Sequence, residues 1–248
     1  MPSFDLLLHP WIPVLDAGTD LRVNPDAPTT LQEVGLREAL LRAHELREVY
    51  SDSPLETIAL NRLLLALALD AYQPAPDEGA WVTVWEAGQL PADPLDDYLA
   101  KWADRFDLLH DTYPFFQRVT TDVSQDGKGP APLANLFHEQ ASGNNATLFG
   151  HDIDAEPQPL PLAQAARGLV MLQAAALGGG ASKPFYFSHA PLIGRAQFWI
   201  RGRSLFEALM LNGPPTPEAR MGAITEDKPV WKRNAPKTYR KRIHTGLL

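Results

Sequence analysis

Few residues in this chain have the types and the spacing that catalysis or metal binding requires. His151, Asp152 and Asp154 carry ligand atoms for a hard cation, but a site built from side chains usually needs more ligands than this short stretch supplies. His44 and Glu48 are four residues apart, yet the second histidine of the H-E-x-x-H zinc motif is missing, and we interpret the pair as a solvated helix face. A metal-dependent enzyme centred on the first group is therefore only the third candidate function.

Other catalytic signatures are absent from the sequence. It contains no phosphate-binding loop of the G-x-x-x-x-G-K type and no G-x-S-x-G nucleophile elbow. It has no cysteine, which removes disulfides, thiolate metal sites and cysteine nucleophiles together. The sequence therefore indicates a protein that is not an enzyme and that needs no cofactor.

Three consecutive glycines are a better candidate for a binding segment. Gly178, Gly179 and Gly180 follow an apolar helix and come shortly before Lys183. One glycine, Gly178, is explained if it ends the helix as a left-handed cap. Three residues without a Cβ atom indicate a place where another backbone or a nucleic-acid groove approaches closely.

A second candidate segment, residues 142–151, reads S-G-N-N-A-T-L-F-G-H. It contains Asn145 and His151, and it places Phe149 between polar residues and glycine. This is an unusual setting for a core residue, although a ring that packs under its own segment remains an alternative.

Charge is unevenly distributed along the chain. The formal net charge is −8, and residues 228–248 contain seven basic and no acidic residues, so residues 1–227 carry −15. A domain that binds nucleic acid alone normally has a net basic footprint. Any contact with nucleic acid therefore needs a local patch or an assembly whose other members supply positive charge. Four cations of the basic tail are candidates for phosphate contacts without sequence preference: Lys237, Arg240, Lys241 and Arg242.

Apolar periodicity predicts the elements that must position these segments, and their mixed order indicates an α+β fold rather than a doubly wound one. Capping boxes at Ser53 and Ser204 each predict a helix start. The predicted helices cover residues 36–49, 54–73, 93–109, 161–177 and 205–212, and strands or hairpins are predicted over residues 4–14, 81–85 and 197–200.

The domain organisation and compartment follow from composition. The chain contains 45% hydrophobic and 21% charged residues, as is usual for a globular protein. We expect one domain over residues 1–212 and a Pro-rich, then basic tail over residues 213–248, an incomplete continuation that stays off the packed domain. The N-terminus lacks the basic region of a signal peptide, and residues 55–69 are too short and too interrupted for a bilayer span, so we expect a cytoplasmic protein. Four aromatic residues are assigned to the core: Trp11, Trp102, Phe115 and Phe116.

Several segments, taken in order, resemble one known family. F-D-L-L-L-H-P-W-I-P-V at residues 4–14, L-H-D-T-Y-P-F-F-Q at 109–117, the 142–151 segment and G-G-G-A-S-K-P at 178–184 are similar to the CasA large subunit of the type I-E CRISPR Cascade complex. The resemblance runs from Phe4 to about Trp231. It implies the mixed fold of the CasA N-terminal domain.

The resemblance also implies a function: a subunit of an RNA-guided antiviral surveillance complex that senses the protospacer-adjacent motif of double-stranded target DNA. In the family, the loop at Gly178, Gly179 and Gly180 inserts into the minor groove, and Lys183 is close enough to reach a phosphate. The loop with Asn145, Phe149 and His151 reaches the guide-RNA handle and neighbouring subunits. The family's other partners are the remaining Cascade subunits and a helicase–nuclease recruited in trans.

The chain also departs from the family. Its members are longer: they carry a lysine finger and a glutamine wedge that split the duplex, and a C-terminal four-helix bundle. None of these can be placed here, so we expect a fragment, an interrupted gene or a short variant. The second candidate function is accordingly a truncated assembly scaffold that binds the guide handle and Cascade subunits without reading DNA.

Overall fold

The structure is a computed structural model that describes residues 3–72, 78–117, 119, 133–137, 159–176, 190–194, 196–215 and 229–232. Its strands are β1 (Ile12–Asp16), β2 (Thr30–Val34) and β3 (Leu46–Val49). Its helices are α1 (Leu36–Leu41), α2 (Pro54–Ala71), α3 (Glu78–Ala87), α4 (Ala92–Trp102), α5 (Leu162–Ala175) and α6 (Leu205–Asn212), with 3₁₀ turns at Ala103–Arg105, Leu133–Leu136 and Val230–Lys232. The predicted α+β class is confirmed.

The three strands form one antiparallel sheet in the order β2-β1-β3. Ile12 pairs with Val34 on one side, and Val14 pairs with Val49 on the other. These four side chains are buried. The expected N-terminal strand is confirmed for β1 only, because residues 6–8 form a turn instead.

α2 is the central buried helix, as its nearly continuous apolar sequence predicts. Its N-cap Ser53 accepts a hydrogen bond from the Glu56 N–H (3.5 Å), and Pro54 occupies the first helical turn, so the predicted start is confirmed. Ser204 caps α6 in the same way. Among the helices of the described ranges, none combines the length and the hydropathy that a membrane crossing needs.

The strand predicted over residues 81–85 is wrong, because these residues lie within α3. Trp81 and Trp85 are one helical turn apart and stack with ring centroids 5.3 Å from each other. The Trp81 indole N–H donates to the carbonyl of Met210 (3.2 Å), and the Trp85 ring lies on Phe206. Contacts with α6 therefore stabilise a helix in a stretch whose apolar alternation is typical of a strand.

Two further assignments are wrong. The helix predicted over residues 36–49 ends at Leu41, and Leu46–Val49 forms β3. Leu46 and Val49 are still buried, because a spacing of three residues fits either a helix face or the end of a strand with a bulge in its partner. Residues 197–200 join no sheet among the described residues.

The aromatic core prediction is confirmed for Trp11 and Phe115, which are fully buried and meet edge to face. Trp102 and Phe116 pack against the core from its margin. Phe116 has φ +55°, and this left-handed backbone accompanies the stacking of its ring on Phe115 at 4.3 Å.

The chain after Asn212 does not stay entirely off the domain. Pro229–Lys232 returns to α2 and α4, and Trp231 is buried in the core. The Trp231 indole N–H donates to the Tyr98 hydroxyl (2.6 Å), and the Lys232 ammonium lies 2.5 Å from the Asp70 carboxylate. The expectation of a detached tail is wrong for these four residues, while the domain boundary at residue 212 stays a prediction.

Candidate nucleic-acid interface

The residues that the sequence singles out for binding lie outside the described part of the chain, so their own geometry stays a prediction. They are Asn145, Phe149, His151, Asp152, Asp154, Gly178, Gly179, Gly180, Lys183, Lys237, Arg240, Lys241 and Arg242. The structure describes the framework beside the first two segments, and α5 lies at its centre.

α5 ends before the triple glycine. Its last helical residue is Ala175, and Ala176 has φ −64° and ψ 133°, which is extended backbone. A helix that stops with a glycine places it in the left-handed conformation directly after its cap, whereas this helix leaves α geometry at an alanine. The interpretation of Gly178 as a helix cap is therefore wrong, and the three glycines need another explanation.

The described residues on the two sides of the glycine segment are hydrogen-bonded to each other. The N–H of Ala190 donates to the carbonyl of Ala176 (3.0 Å), and the N–H of Leu192 donates to the carbonyl of Ala174 (2.9 Å). The two bonds join strands of chain that run towards and away from residues 177–189. That segment therefore starts and ends at neighbouring points beside the C-terminus of α5.

α5 itself is fixed to the sheet and to α2 by Arg167. Its Nη1 donates to the Trp11 carbonyl (2.9 Å) and to the Glu33 carboxylate, and its Nε lies 3.3 Å from the carboxylate of Glu56, which is buried. A planar guanidinium holds each of these partners in a set direction. The helix that carries the glycine segment is thus a rigidly positioned support.

The beginning of the 142–151 region is attached to the same helix through Gly168. A Cβ atom added there would lie 3.0 Å from both the Cβ of Leu136 and the ring of Phe137, which is tighter than most real contacts. Phe137 is buried, and residues 138–158 follow it outside the described part. Glycine at this position lets the Leu133–Leu136 turn lie directly on α5, so both candidate segments extend from one helix.

The electrostatics of this support are close to neutral. Arg167 is the one charged residue of α5, and the carboxylates of Glu33 and Glu56 match its charge. α5 therefore offers no spare cation for a phosphate. Affinity for a nucleic-acid backbone would have to come from Lys183 or from neighbouring molecules.

Sequence reasoning missed Arg167 and Gly168. The signal that could have found them is their position, since an arginine followed by a glycine interrupts an otherwise apolar helix. Charged residues and glycine are both unfavourable inside a buried helix unless a specific partner or a close approach requires them. Each has such a reason here.

The structure corrects the assignment of His44 and Glu48. His44 lies in the turn after α1 and its Nδ1 is buried without a hydrogen-bond partner, while Glu48 lies in β3 and its carboxylate is 2.6 Å from Arg201. They are therefore not two residues of one solvated helix face. Within the described ranges, no three metal-ligating side chains come together. The group at His151 lies outside those ranges.

Comparisons with known proteins agree with this framework. The family model described as CRISPR-associated protein Cse1 matches residues 5–247. The chain is 39% identical to CRISPR-associated protein CasA/Cse1 of Thermus thermophilus over 243 residues, which cover 94% of this chain and 42% of that protein.

Solved structures show the same fold. The structure of Thermus thermophilus CasA (Cse1) superposes with a TM-score of 0.73 at 34% identity, over 94% of this chain and 43% of the other. A chain in the structure of a CRISPR RNA-guided surveillance complex gives a TM-score of 0.76 at 25% identity, over 98% of this chain and 48% of that one. The chain thus spans less than half the length of these relatives, and it belongs to the CRISPR-associated protein Cse1 family.

Proposed function

We propose that this chain is a non-catalytic subunit of an RNA-guided antiviral DNA surveillance complex. In this role it senses the protospacer-adjacent motif of double-stranded target DNA and helps to recruit a helicase–nuclease in trans. Membership of the Cse1 family and the likeness to a chain of a surveillance complex support the proposal. In RNA-guided systems the protein reads a short motif, while base pairing with the guide reads the rest of the target.

The observation that carries the proposal is the end of α5. The helix stops at Ala176 without a glycine, and the paired residues Ala176 and Ala190 hold the ends of the intervening segment together. Gly178, Gly179 and Gly180 are therefore free of a helix-capping role. A minor groove about 6 Å wide admits bare backbone more easily than side chains, and its degenerate pattern of donors and acceptors makes readout permissive. Lys183 follows the glycines closely enough to contact a phosphate.

The second segment is assigned to the guide RNA. Phe149, with Asn145 and His151 beside it, contacts the guide-RNA handle and neighbouring subunits in this proposal. Stacking of an aromatic ring on an unpaired base contributes about 1–3 kcal/mol, which is enough to affect assembly. The packing of Phe137 on α5 at Gly168 supports a common base for the RNA-contacting and DNA-contacting segments.

The acidic body fits a subunit rather than an independent DNA-binding protein. Residues 1–227 carry −15, and the charge of α5 is already matched. Long-range repulsion would oppose the approach of a duplex to the isolated chain. Within an assembly, basic neighbours and the guide RNA's own protein partners supply the positive charge that the body lacks.

Reconstitution tests this proposal. The guide RNA and the remaining subunits are purified with and without this chain, and each preparation is analysed by gel filtration and by gel shift with a double-stranded target. Co-elution of the chain together with tighter target binding is the expected result. Co-elution without a change in target binding would instead indicate the assembly scaffold, and failure to co-elute would overturn both subunit functions.

Metal analysis tests the enzyme alternative in the same preparation. The purified chain is expected to contain no stoichiometric metal and to leave DNA uncut when Mg²⁺ or Mn²⁺ is added. A bound metal that is lost when His151 is replaced by Ala would support the metal-dependent enzyme.

A further inference from the structure

Residues 198–201, which we call the rib, expose an aromatic side chain that the core does not use. Phe198 is 89% exposed, more than any other large apolar residue in the described part of the chain, and Ile200 is 54% exposed. Trp199, between them, packs against the core. Successive side chains of extended backbone point to opposite faces, so the rib has one buried face and one apolar outer face.

One edge of the rib is already paired. The Ile200 N–H donates to the side-chain oxygen of Asn212 (3.1 Å), and the Asn212 amide donates back to the Ile200 carbonyl (2.7 Å). The last residue of α6 thus supplies the pair of hydrogen bonds that a neighbouring strand would otherwise supply.

The other edge is open. In extended backbone the N–H and C=O groups of alternate residues point to opposite edges, so those of Trp199 and Arg201 face away from Asn212. No described residue donates to or accepts from these main-chain groups. An open edge beside exposed apolar side chains is the arrangement that an extended peptide joins as an added strand.

The charge at the end of the rib selects the partner's chemistry. The side chains of Arg201 and Arg203 are 71% and 56% exposed, and the Arg47 guanidinium bonds the Arg203 carbonyl (3.3 Å). These three cations face only two carboxylates, Glu48 and Glu207, although the body of the chain is strongly acidic. The local surplus of guanidinium groups matches carboxylates on an incoming chain.

We propose that the rib binds an extended segment of a partner protein in which apolar and acidic residues alternate. The segment adds as a strand along Trp199 and Arg201, with its apolar side chains on Phe198 and Ile200 and its carboxylates near Arg201. Single-stranded nucleic acid is the less favoured occupant, because phosphates gain nothing from the open main-chain N–H and C=O groups of both polarities.

Fluorescence anisotropy tests the inference on the isolated chain, independently of guide RNA and target DNA. The probe is a fluorescein-labelled peptide of alternating valine and glutamate, and the reference peptide alternates valine and lysine. We expect saturable binding of the glutamate peptide only. Phe198→Asp should weaken it at least about tenfold, because it buries a carboxylate without a partner.

Leu31→Asp is the matched control, since Leu31 is an exposed residue of β2 and the substitution adds the same charge. It should leave the affinity unchanged, and neither substitution should change the melting temperature. The proposal is overturned if the glutamate peptide does not bind, if Phe198→Asp binds it as tightly as the native chain, or if Phe198→Asp abolishes binding of an oligouridine probe instead.

Discussion

The indole N–H of Trp231 donates a 2.6 Å hydrogen bond to the hydroxyl of Tyr98, which in turn donates to the carboxylate of Asp70. Lys232 completes the cluster with its ammonium group 2.5 Å from Asp70 and 5.1 Å from the centre of the Tyr98 ring. Burial, followed by the neighbouring Asp70 carboxylate, raises the pKa of Tyr98. The cluster therefore holds the end of the chain's described part against α2 and α4 in a neutral phenol setting at physiological pH.

The first prediction concerns this attachment. Trp231→Ala should lower the free energy of unfolding by roughly 3 kcal/mol, because a buried indole is lost and a cavity remains. Trp231→Phe should cost only about 1 kcal/mol, since it mainly removes the hydrogen bond. Urea denaturation gives both values, and Val230→Ala serves as the neighbouring half-exposed control. A Trp231→Ala protein as stable as this control would show that the segment contributes nothing to the domain.

The second prediction concerns the Arg167 anchor. Arg167→Met should destabilise the chain by about 3–5 kcal/mol, because the buried carboxylate of Glu56 loses its partner. Adding Glu56→Gln should recover part of that loss, and a double-mutant cycle by chemical denaturation measures the coupling. Additive effects of the two substitutions would contradict the role assigned to this pair.

Sequence patterns predicted those parts of the fold that local chemistry determines. Ser53 and Ser204 cap α2 and α6 because each hydroxyl reaches a backbone N–H three residues on, and this distance is fixed within one turn. The apolar faces around Leu36, Leu64 and Leu95 are buried as their spacing indicates.

Tertiary contacts determined the parts that sequence patterns missed. The residues from Trp81 to Trp85 are helical because the two rings stack and lie on α6, whereas Leu46 joins β1 across the sheet. The support of the candidate site was equally hidden, since Ala176 and Ala190 carry no chemical signal and meet only after folding. The apparent role of Gly178 was wrong because the helix stops earlier than apolar periodicity indicates.

The third prediction concerns pH. Burial raises the pKa of Asp107, but hydrogen bonds from the Ser3 hydroxyl and from the backbone N–H groups of Leu109 and Phe4 outweigh it, so the pKa lies below its usual value of 3.8. The unfolded chain therefore takes up this proton at a higher pH than the folded chain. The stabilisation is complete well above pH 3.8 and is lost as the pH falls through the folded pKa.

Asp107→Asn tests this linkage. It should cost roughly 1–3 kcal/mol near neutral pH, where the charged acceptor is lost, and should reduce the loss of stability on acidification from about pH 5 downward. Unfolding followed by circular dichroism over that pH range measures both effects. An unchanged acid profile with Asn at this position would contradict the assignment.

The fourth prediction concerns the basic tail of the isolated chain. Lys237, Arg240, Lys241 and Arg242 should give weak binding to duplex DNA, with a Kd of roughly 10⁻⁴–10⁻⁶ M or weaker at physiological salt, because binding depends on counterion release. Neutralising the four residues should remove most of it, equally for every DNA sequence. Anisotropy titrations at several salt concentrations measure this, and tight binding of one short motif that persists in high salt would show that the chain reads DNA alone.

The most direct test of the central claim is the affinity of the reconstituted complex for its double-stranded target with Gly179→Asp in this chain. The added carboxylate lies where a groove should approach, so we expect the variant to co-elute with the complex but to bind the target at least about tenfold more weakly, a loss of about 1.4 kcal/mol. Leu31→Asp, with the same change of charge elsewhere, should bind as the native chain does. An unchanged target Kd for Gly179→Asp, measured by gel shift at fixed salt, would contradict insertion of the glycine segment into DNA.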